Sequence, residues 1–368
     1  MKDSFVADAL KALRALAMRK ISLTFDSIPH EMENVPLRKI INWILVEASV
    51  YVKPARPWGR PTHIVIEPSS LCDLKCPHCP TSLGMDRPRG NMSFELYKKV
   101  LDEAGDHLLQ VILWNWGEPF MNPALFDMIT YARKKGIWVV TSTNGQTLSK
   151  RGVADRIISS GLETLIVAVD GATQEAYSRF RRGGALDAVL DGVRILAERK
   201  RAVGSLTPLI NLRYVVTRNN ESEVGMIKEL APSLGADLLT VRSSLNVYDE
   251  GVLDDGLSPA NARLRRFERD KDGRRIRLKK NPCKRLWNNP AVHSNGNVCV
   301  CFMDWDEKSV LGDVNRDTIL DVWRGEKYRA LRRTFRRNYE EIDNACGDRV
   351  APCAGRLQGD RVDNGSVW

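Results

Sequence analysis

The chain has 368 residues, 43% hydrophobic and 28% charged, which is ordinary globular usage and excludes a disordered tail or a fibrous repeat as its main content. At roughly 150 residues per domain, the length suggests about two domains. The formal charge is +10, and much of the excess lies between Ala262 and Arg285, where Lys and Arg far outnumber Glu268, Asp270 and Asp272. A second basic run, Arg324 to Arg337, has a helical pattern. The plain reading of both is a solvated surface; the sharper one is attraction for an anionic substrate or partner. Basic and aromatic residues do not interleave as they do where bases stack, which argues against nucleic acid.

Residues 1–60 contain two helical patterns. The first sets Val6, Leu10, Leu13 and Leu16 on one stripe, and the second runs through Leu37, Ile40, Ile41, Ile44 and Leu45. They are expected to pack on the body of the protein as a helical extension; an interfacial membrane helix would need its apolar face left uncovered. The longest apolar stretch, Ile40 to Val52, is broken by Asn42, Glu47 and Ser49 and falls short of the roughly 20 residues a bilayer span needs. Lys11, Arg14, Arg19 and Lys20 interrupt what would be the core of a signal peptide. These features exclude an integral membrane protein and point to the cytoplasm.

From residue 61 onward, short runs rich in Val and Ile alternate with amphipathic helical segments. The runs are His63–Glu67, Gln110–Trp114, Trp138–Ser142, Thr164–Val169, Ile210–Val216 and Leu238–Val241. Each is apolar on both faces, as strands of a parallel sheet covered by helices are. Six βα units in succession predict an α/β fold, a partial (β/α)6 TIM-like barrel over 61–260, with an open doubly wound sheet as the alternative. In either fold, chemistry gathers at the carboxyl ends of the strands. The polar turns fall there: Glu67-Pro-Ser-Ser-Leu-Cys72, Gly117-Glu118-Pro119, Thr143-Asn144-Gly145 and Asp170-Gly171.

Cysteine placement is uneven. Cys72, Cys76 and Cys79 cluster, and the next cysteine is Cys283, followed by Cys299, Cys301, Cys346 and Cys353. So few cysteines exclude a disulfide scaffold and suggest two thiol sites in a reducing compartment. Cys72-x3-Cys76-x2-Cys79 admits three readings: a zinc site short of a fourth ligand, a dithiol redox motif at Cys76-Pro77-His78-Cys79 that leaves Cys72 over, or a four-iron cluster with three protein thiolates and one open iron.

The third reading resembles the radical S-adenosylmethionine (SAM) superfamily, whose core is a partial (β/α)6 barrel; the likeness runs over about Pro61–Val241. The resemblance implies a [4Fe–4S] cluster on Cys72, Cys76 and Cys79, SAM chelated to its open iron, and His78 lying over the adenine. Trp116-Gly117-Glu118-Pro119 resembles the segment that holds the methionine amino group, with Trp116 in place of the usual first glycine. Thr143-Asn144-Gly145 resembles the turn near the ribose and methionine. Ala168-Val169-Asp170-Gly171 resembles a further ribose segment, with Ala168 in place of serine and Asp170 kept. Arg213 or Asn211 is expected at the SAM carboxylate.

Towards the carboxyl end, Val292 to Cys301 looks like a hairpin with an Asn295-Gly296 turn, and Cys299 and Cys301, two apart on a strand, would share a face. The spacing from Cys283 through Gly296 to Cys301, with Leu311-Gly312-Asp313-Val314 and Trp323, resembles the SPASM module, expected here over 261–358 with 359–368 as a tail. It implies one auxiliary [4Fe–4S] cluster on Cys283, Cys301, Cys346 and Cys353, with Cys299 spare or exchanging with Cys301. Zinc on four of these thiols is the alternative.

Taken together, the resemblance implies an oxidoreductase or maturase. It would cleave SAM reductively to a 5′-deoxyadenosyl radical, abstract a substrate hydrogen atom and pass an electron to the auxiliary cluster. A small-molecule or peptide substrate, anionic if the basic segment serves it, and a flavodoxin or ferredoxin as electron donor complete the expectation. The rival is a zinc- or cluster-stabilised binding protein without radical chemistry.

Overall fold

The computed structural model describes residues 2–25, 28–77, 79–243, 257–264 and 284–337. After the helix Lys2–Met18 the chain forms a hairpin of β1 (Ile21–Phe25) and β2 (Ile28–Met32), then the helix Leu37–Val52. Six strands follow: β3 (His63–Ile66), β4 (Gln110–Ile112), β5 (Trp138–Thr143), β6 (Thr164–Ala168), β7 (Leu209–Val216) and β8 (Leu238–Ser243). The last three are short, β9 (Ala291–Val292), β10 (Asn297–Cys299) and β11 (Val310–Asp313).

β3 to β8 pair in sequence order, every pair parallel. A doubly wound sheet reverses its strand order at a switch point; this order never reverses, so the helices between strands cover one face and the other curls inward. Alternate residues make the division. Ile64, Ile66, Val111, Val139, Leu165 and Val167 join the helical layer, while Val65, Ile112, Val140 and Ile166 line the inside. β9 adds to β3 in parallel, and the antiparallel pairs β9–β10 and β10–β11 carry the carboxyl-terminal hairpin onto that edge.

The β1–β2 hairpin is the part of residues 1–60 that two helical patterns did not foresee. Its Ile28 joins the inner barrel cluster, with Phe25 packed against it. Phe25 meets Trp114 edge-on at 5.7 Å, and His30 meets Trp138 at 4.7 Å. The hairpin therefore fills the barrel interior. Burial holds His30 down to a pKa of about 4, so it is a neutral core residue.

The second basic run is the helix Glu326–Arg337. One member is no solvated charge: Arg332 is fully buried, donates to the carbonyls of Leu286 and Trp323, and lies over the rings of Trp323 and Tyr328. Its bond to Leu286 ties this helix to the turn Arg285–Asn288 just ahead of β9.

Asn122 sets the loops around the barrel mouth. Its buried amide donates to the carbonyls of Pro68 (2.7 Å) and Met92 (2.9 Å), and its oxygen accepts from the Ala124 N–H (2.9 Å). Replacing it leaves the Met92 carbonyl and the Ala124 N–H without this partner and the Pro68 carbonyl with the Met92 N–H alone. Asn122→Ala is expected to cost about 2–4 kcal/mol, read as a lower urea midpoint with an unchanged slope.

Candidate functional site

The loop after β3 runs from Glu67 to Cys79. Its three cysteines are unpaired, Cys76 buried and Cys72 and Cys79 half-buried. All three line one cavity of about 230 Å³, together with Trp116, Gly117 and Glu118 after β4, Thr143 and Asn144 at the end of β5, and Ala168 at the end of β6. Burial pushes the Cys72 thiol up to about 12 and raises Cys76 as well.

Backbone geometry brings the second turn against the first. The Glu118 N–H donates to the Leu71 carbonyl at 2.7 Å. Gly117 has φ +87°, and a Cβ there would lie 2.4 Å from the Ser69 carbonyl oxygen and 2.7 Å from that of Leu71. Glycine is required at this close approach. The side chain of Glu118 then reaches across to the third turn: it accepts from Thr143 Oγ1 (2.8 Å), the Asn144 N–H (2.7 Å) and the Phe120 N–H (3.1 Å). Asn144 closes the circuit, donating from Nδ2 to Asp73 Oδ1 (2.7 Å) and lying 3.9 Å from Cys72 Sγ. Glu118 thus spends its oxygens on holding the turns.

The remaining sites expected from the sequence divide. Asp170 is fully buried outside the cavity lining; one oxygen accepts from the Val215 N–H (2.8 Å), and the other receives Arg181 Nε and Nη2 at 2.6 Å each. Arg213 and Asn211 converge on Thr240 Oγ1, at 3.3 and 3.0 Å, and do not line the cavity. Pro119 opens a short 3₁₀ turn and is also outside the lining. His78, Cys283, Cys346 and Cys353 lie outside the described residues, as does the basic segment from Arg265 to Cys283.

Arg181 is a site residue that the motifs did not mark. It lines the cavity between Asp170 and Cys76, and its positive charge stands near the Cys76 sulfur. Burial opposes its charge, but Asp170 and Cys76 outweigh that and raise its pKa, so it stays cationic. Trp114, Phe180 and Val215 add apolar wall.

Trp116 departs from the glycine of the family segment, and the structure shows what its side chain reaches. The indole N–H donates to the Phe302 carbonyl (2.8 Å), next to Cys301, while its backbone N–H points at Glu67 Oε2 (3.3 Å). Glu67 also receives Arg87 Nη2 (2.7 Å) and the Ser294 N–H (3.2 Å), and Arg87 Nε donates to the Trp305 carbonyl (2.6 Å). Cys299 and Cys301 are both buried beyond this seam. β10 ends at Cys299, one residue after a register shift against β11, so Cys301 lies beyond β10 and the period-2 expectation of a shared strand face does not carry over. Cys299 Sγ lies 3.7 Å from His293 Nδ1, and Cys301 Sγ accepts the Met303 N–H at 3.3 Å.

Comparison with known proteins follows the same division. A model of the radical SAM superfamily matches residues 66–231, and one of an iron–sulfur cluster-binding domain, SPASM, matches 283–348. The chain thus carries a radical SAM domain followed by a carboxyl-terminal SPASM domain. An AdoMet-dependent heme synthase of Methanosarcina barkeri is 28% identical over 48% of this chain and 49% of its own. Fe-coproporphyrin III synthase of the same organism is 34% identical over 50% and 43%, and the mycofactocin maturase of Mycobacterium tuberculosis 28% over 51% and 46%. The chain spans about half the length of the curated relatives it matches. Among solved structures, SuiB of Streptococcus suis bound to the precursor peptide SuiA superposes with a TM-score of 0.57 at 16% identity, over 89% of this chain and 79% of that one. The anSMEcpe structure with bound AdoMet gives 0.52 at 17%, over 73% and 82%. These last two show the shared fold.

The first domain is of a kind that binds a four-iron cluster and SAM, and the second a kind that binds auxiliary clusters. The residues present fit the first. Three soft thiols open on one cavity, the Leu74 N–H lies 3.5 Å from Cys72 Sγ, and a fixed cation stands beside Cys76. Among the described residues no three Cys, His, Asp or Glu side chains converge on a single ion; a cubane instead needs its thiolates spread around a cage.

Burial raises the Glu118 pKa to about 7 from 4.5, against its three hydrogen bonds. Between those values the unfolded chain is ionised while the folded one keeps its proton. The cluster-free protein is therefore expected to lose stability as pH rises from 4.5 to 7, by on the order of 3 kcal/mol. Glu118→Gln should remove that slope, measured as the chemical denaturation midpoint against pH.

Proposed function

We propose that this chain is a radical SAM oxidoreductase or maturase of the cytoplasm, acting on a peptide or small anionic metabolite and reduced by a flavodoxin or ferredoxin. The observation that carries this reading is the convergence of Cys72, Cys76 and Cys79 with the turns after β4, β5 and β6 on one cavity. The family's cofactors, when bound, supply one-electron cleavage of SAM and removal of a hydrogen atom from an unactivated C–H bond.

The chain's own residues bind, orient and shield. Cys72, Cys76 and Cys79 would hold three irons. Arg181 keeps a positive charge beside Cys76 and offsets the charge of thiolate ligands. Glu118, Thr143 and Asn144 lock the turns that face the cofactor, so their positions are set before it binds. Trp114, Phe180, Val215 and Ala168 present apolar wall, which keeps water from the reacting atoms. Ala168 brings no hydroxyl, so contact with a ribose falls to the Asn144 and Thr143 turn.

For the auxiliary cluster we assign Cys283, Cys301, Cys346 and Cys353, with Cys299 spare. The N–H···S bond that Cys301 accepts supports it as a thiolate ligand, whereas Cys299 sits beside His293. Trp116 spans from the cavity to the residue after Cys301, which supports passage of the second substrate electron in that direction. Names of the relatives cover small-molecule synthases and a maturase, in keeping with the substrate range.

Anaerobic analysis of the purified protein is expected to find about eight irons and eight sulfides and no stoichiometric zinc. Incubation with SAM and dithionite should release 5′-deoxyadenosine, and Cys76→Ala should reduce that to background. A colourless, zinc-loaded protein would establish the binding-protein alternative instead, and cleavage that survives Cys76→Ala would overturn the assignment of the cluster to these cysteines. Deuterium carried from a labelled candidate into 5′-deoxyadenosine identifies the substrate.

A further inference from the structure

The amino-terminal helices carry a surface that neither the cavity nor the cysteines use. The helix Lys2–Met18 turns its small residues inward: Ala15 is buried, with Ala12 beside it, against Ile21, Val35, Ile40 and Trp43. At 3.6 residues per turn Leu10, Leu13 and Ala17 share the opposite side. There Leu10 is 53% and Leu13 63% exposed, and Met18 at the helix end 60%. The helix Leu37–Val52, which packs against it, also leaves an apolar stripe outward. It buries Ile40, Trp43, Val46 and Val50 and leaves Leu37, Ile41, Leu45 and Val52 outward, on one stripe spaced i, i+4, i+8 and i+15.

A helix that serves only the fold puts its large apolar side chains inward. On the first helix Ala12 and Ala15 face the protein while Leu10 and Leu13 face out, and exposed apolar surface of this kind marks an interaction site. The first half of that helix carries Asp3 and Asp8 and the second helix Glu47, but basic charge is concentrated beside the exposed leucines. From Leu10 to Lys20 the sequence has Lys11, Arg14, Arg19 and Lys20 and no acid. Lys20 pairs with Glu33, and Arg38 on the second helix pairs with Asp106.

We propose that this face docks the protein peripherally on an anionic lipid surface, with Leu10, Leu13, Ile41 and Leu45 at the acyl boundary and Lys11, Arg14 and Arg19 level with the phosphates. Charge selects this occupant over a second copy of the chain. Two copies meeting here would oppose the same basic stretch, whereas an anionic leaflet supplies negative charge across an extended plane. No helix among the described residues is long and apolar enough to cross a membrane, so the contact is one of docking.

The test sediments the full-length protein with vesicles of phosphatidylcholine alone and of equal phosphatidylcholine and phosphatidylglycerol. Binding is expected to be about tenfold or more tighter to the anionic vesicles and to weaken with salt. Leu10→Ser with Leu13→Ser, and separately Arg14→Glu, should each weaken it about tenfold. Both changes fall on exposed side chains, and circular dichroism and the melting temperature confirm that the variants fold. Absence of binding, equal binding to both vesicle types, or binding unaffected by either variant overturns the proposal. So does sedimentation equilibrium showing a dimer that the leucine variant dissociates while vesicles bind nothing, which would give the face to a second copy.

Discussion

A single buried carboxylate organises this molecule. Glu67 stands at the end of the first barrel strand with no exposure to water, where a charge needs compensation from close and well-aimed donors. The donors come from three places: Arg87 beyond the cysteine loop, the Trp116 N–H from the turn after β4, and the Ser294 N–H from the carboxyl-terminal hairpin. Satisfying one side chain therefore fixes the cysteine loop, the neighbouring turn and the auxiliary domain against one another. Arg87 extends the seam to Trp305.

Glu118 does the corresponding work one strand further round. It is also buried, but it faces only uncharged donors, a hydroxyl and two backbone N–H groups. Burial consequently raises its pKa. The two glutamates divide the labour: one ties domain to domain, the other ties turn to turn around the cavity.

Much of this was legible in the sequence. The six strands lie where Val- and Ile-rich runs fall between helical patterns, because a strand covered on both faces must be apolar throughout. The turn motifs lie at strand ends because Gly117, Asn144 and Asp170 each answer a local backbone demand. Other features had no such signal. Arg181 sits among Arg179 and Arg182 at the end of a helix, and only the three-dimensional position of Asp170 and Cys76 separates it from its neighbours. Glu67 precedes a proline in a short run that reads as strand, and its partners are distant in sequence. The hairpin was detectable in part: Ile21-Ser-Leu-Thr-Phe25 alternates with period two, although Pro29 weakens the second strand as a strand signal.

Trp116 shows how a departure from a family pattern acquires meaning only with a partner in view. As a sequence feature it is a bulky residue at a glycine position. In the structure its indole reaches the second domain, so the wall of the cavity and the surroundings of Cys301 share one side chain.

The hairpin inside the barrel has a different kind of consequence. Phe25 rests on Trp114, itself part of the cavity wall, so the wall of the cavity is backed by a segment that precedes the barrel in the chain. A variant trimmed to begin at the first barrel strand would keep every thiol and turn of the cavity yet lose the ring beneath Trp114, opening the foot of the cavity to solvent.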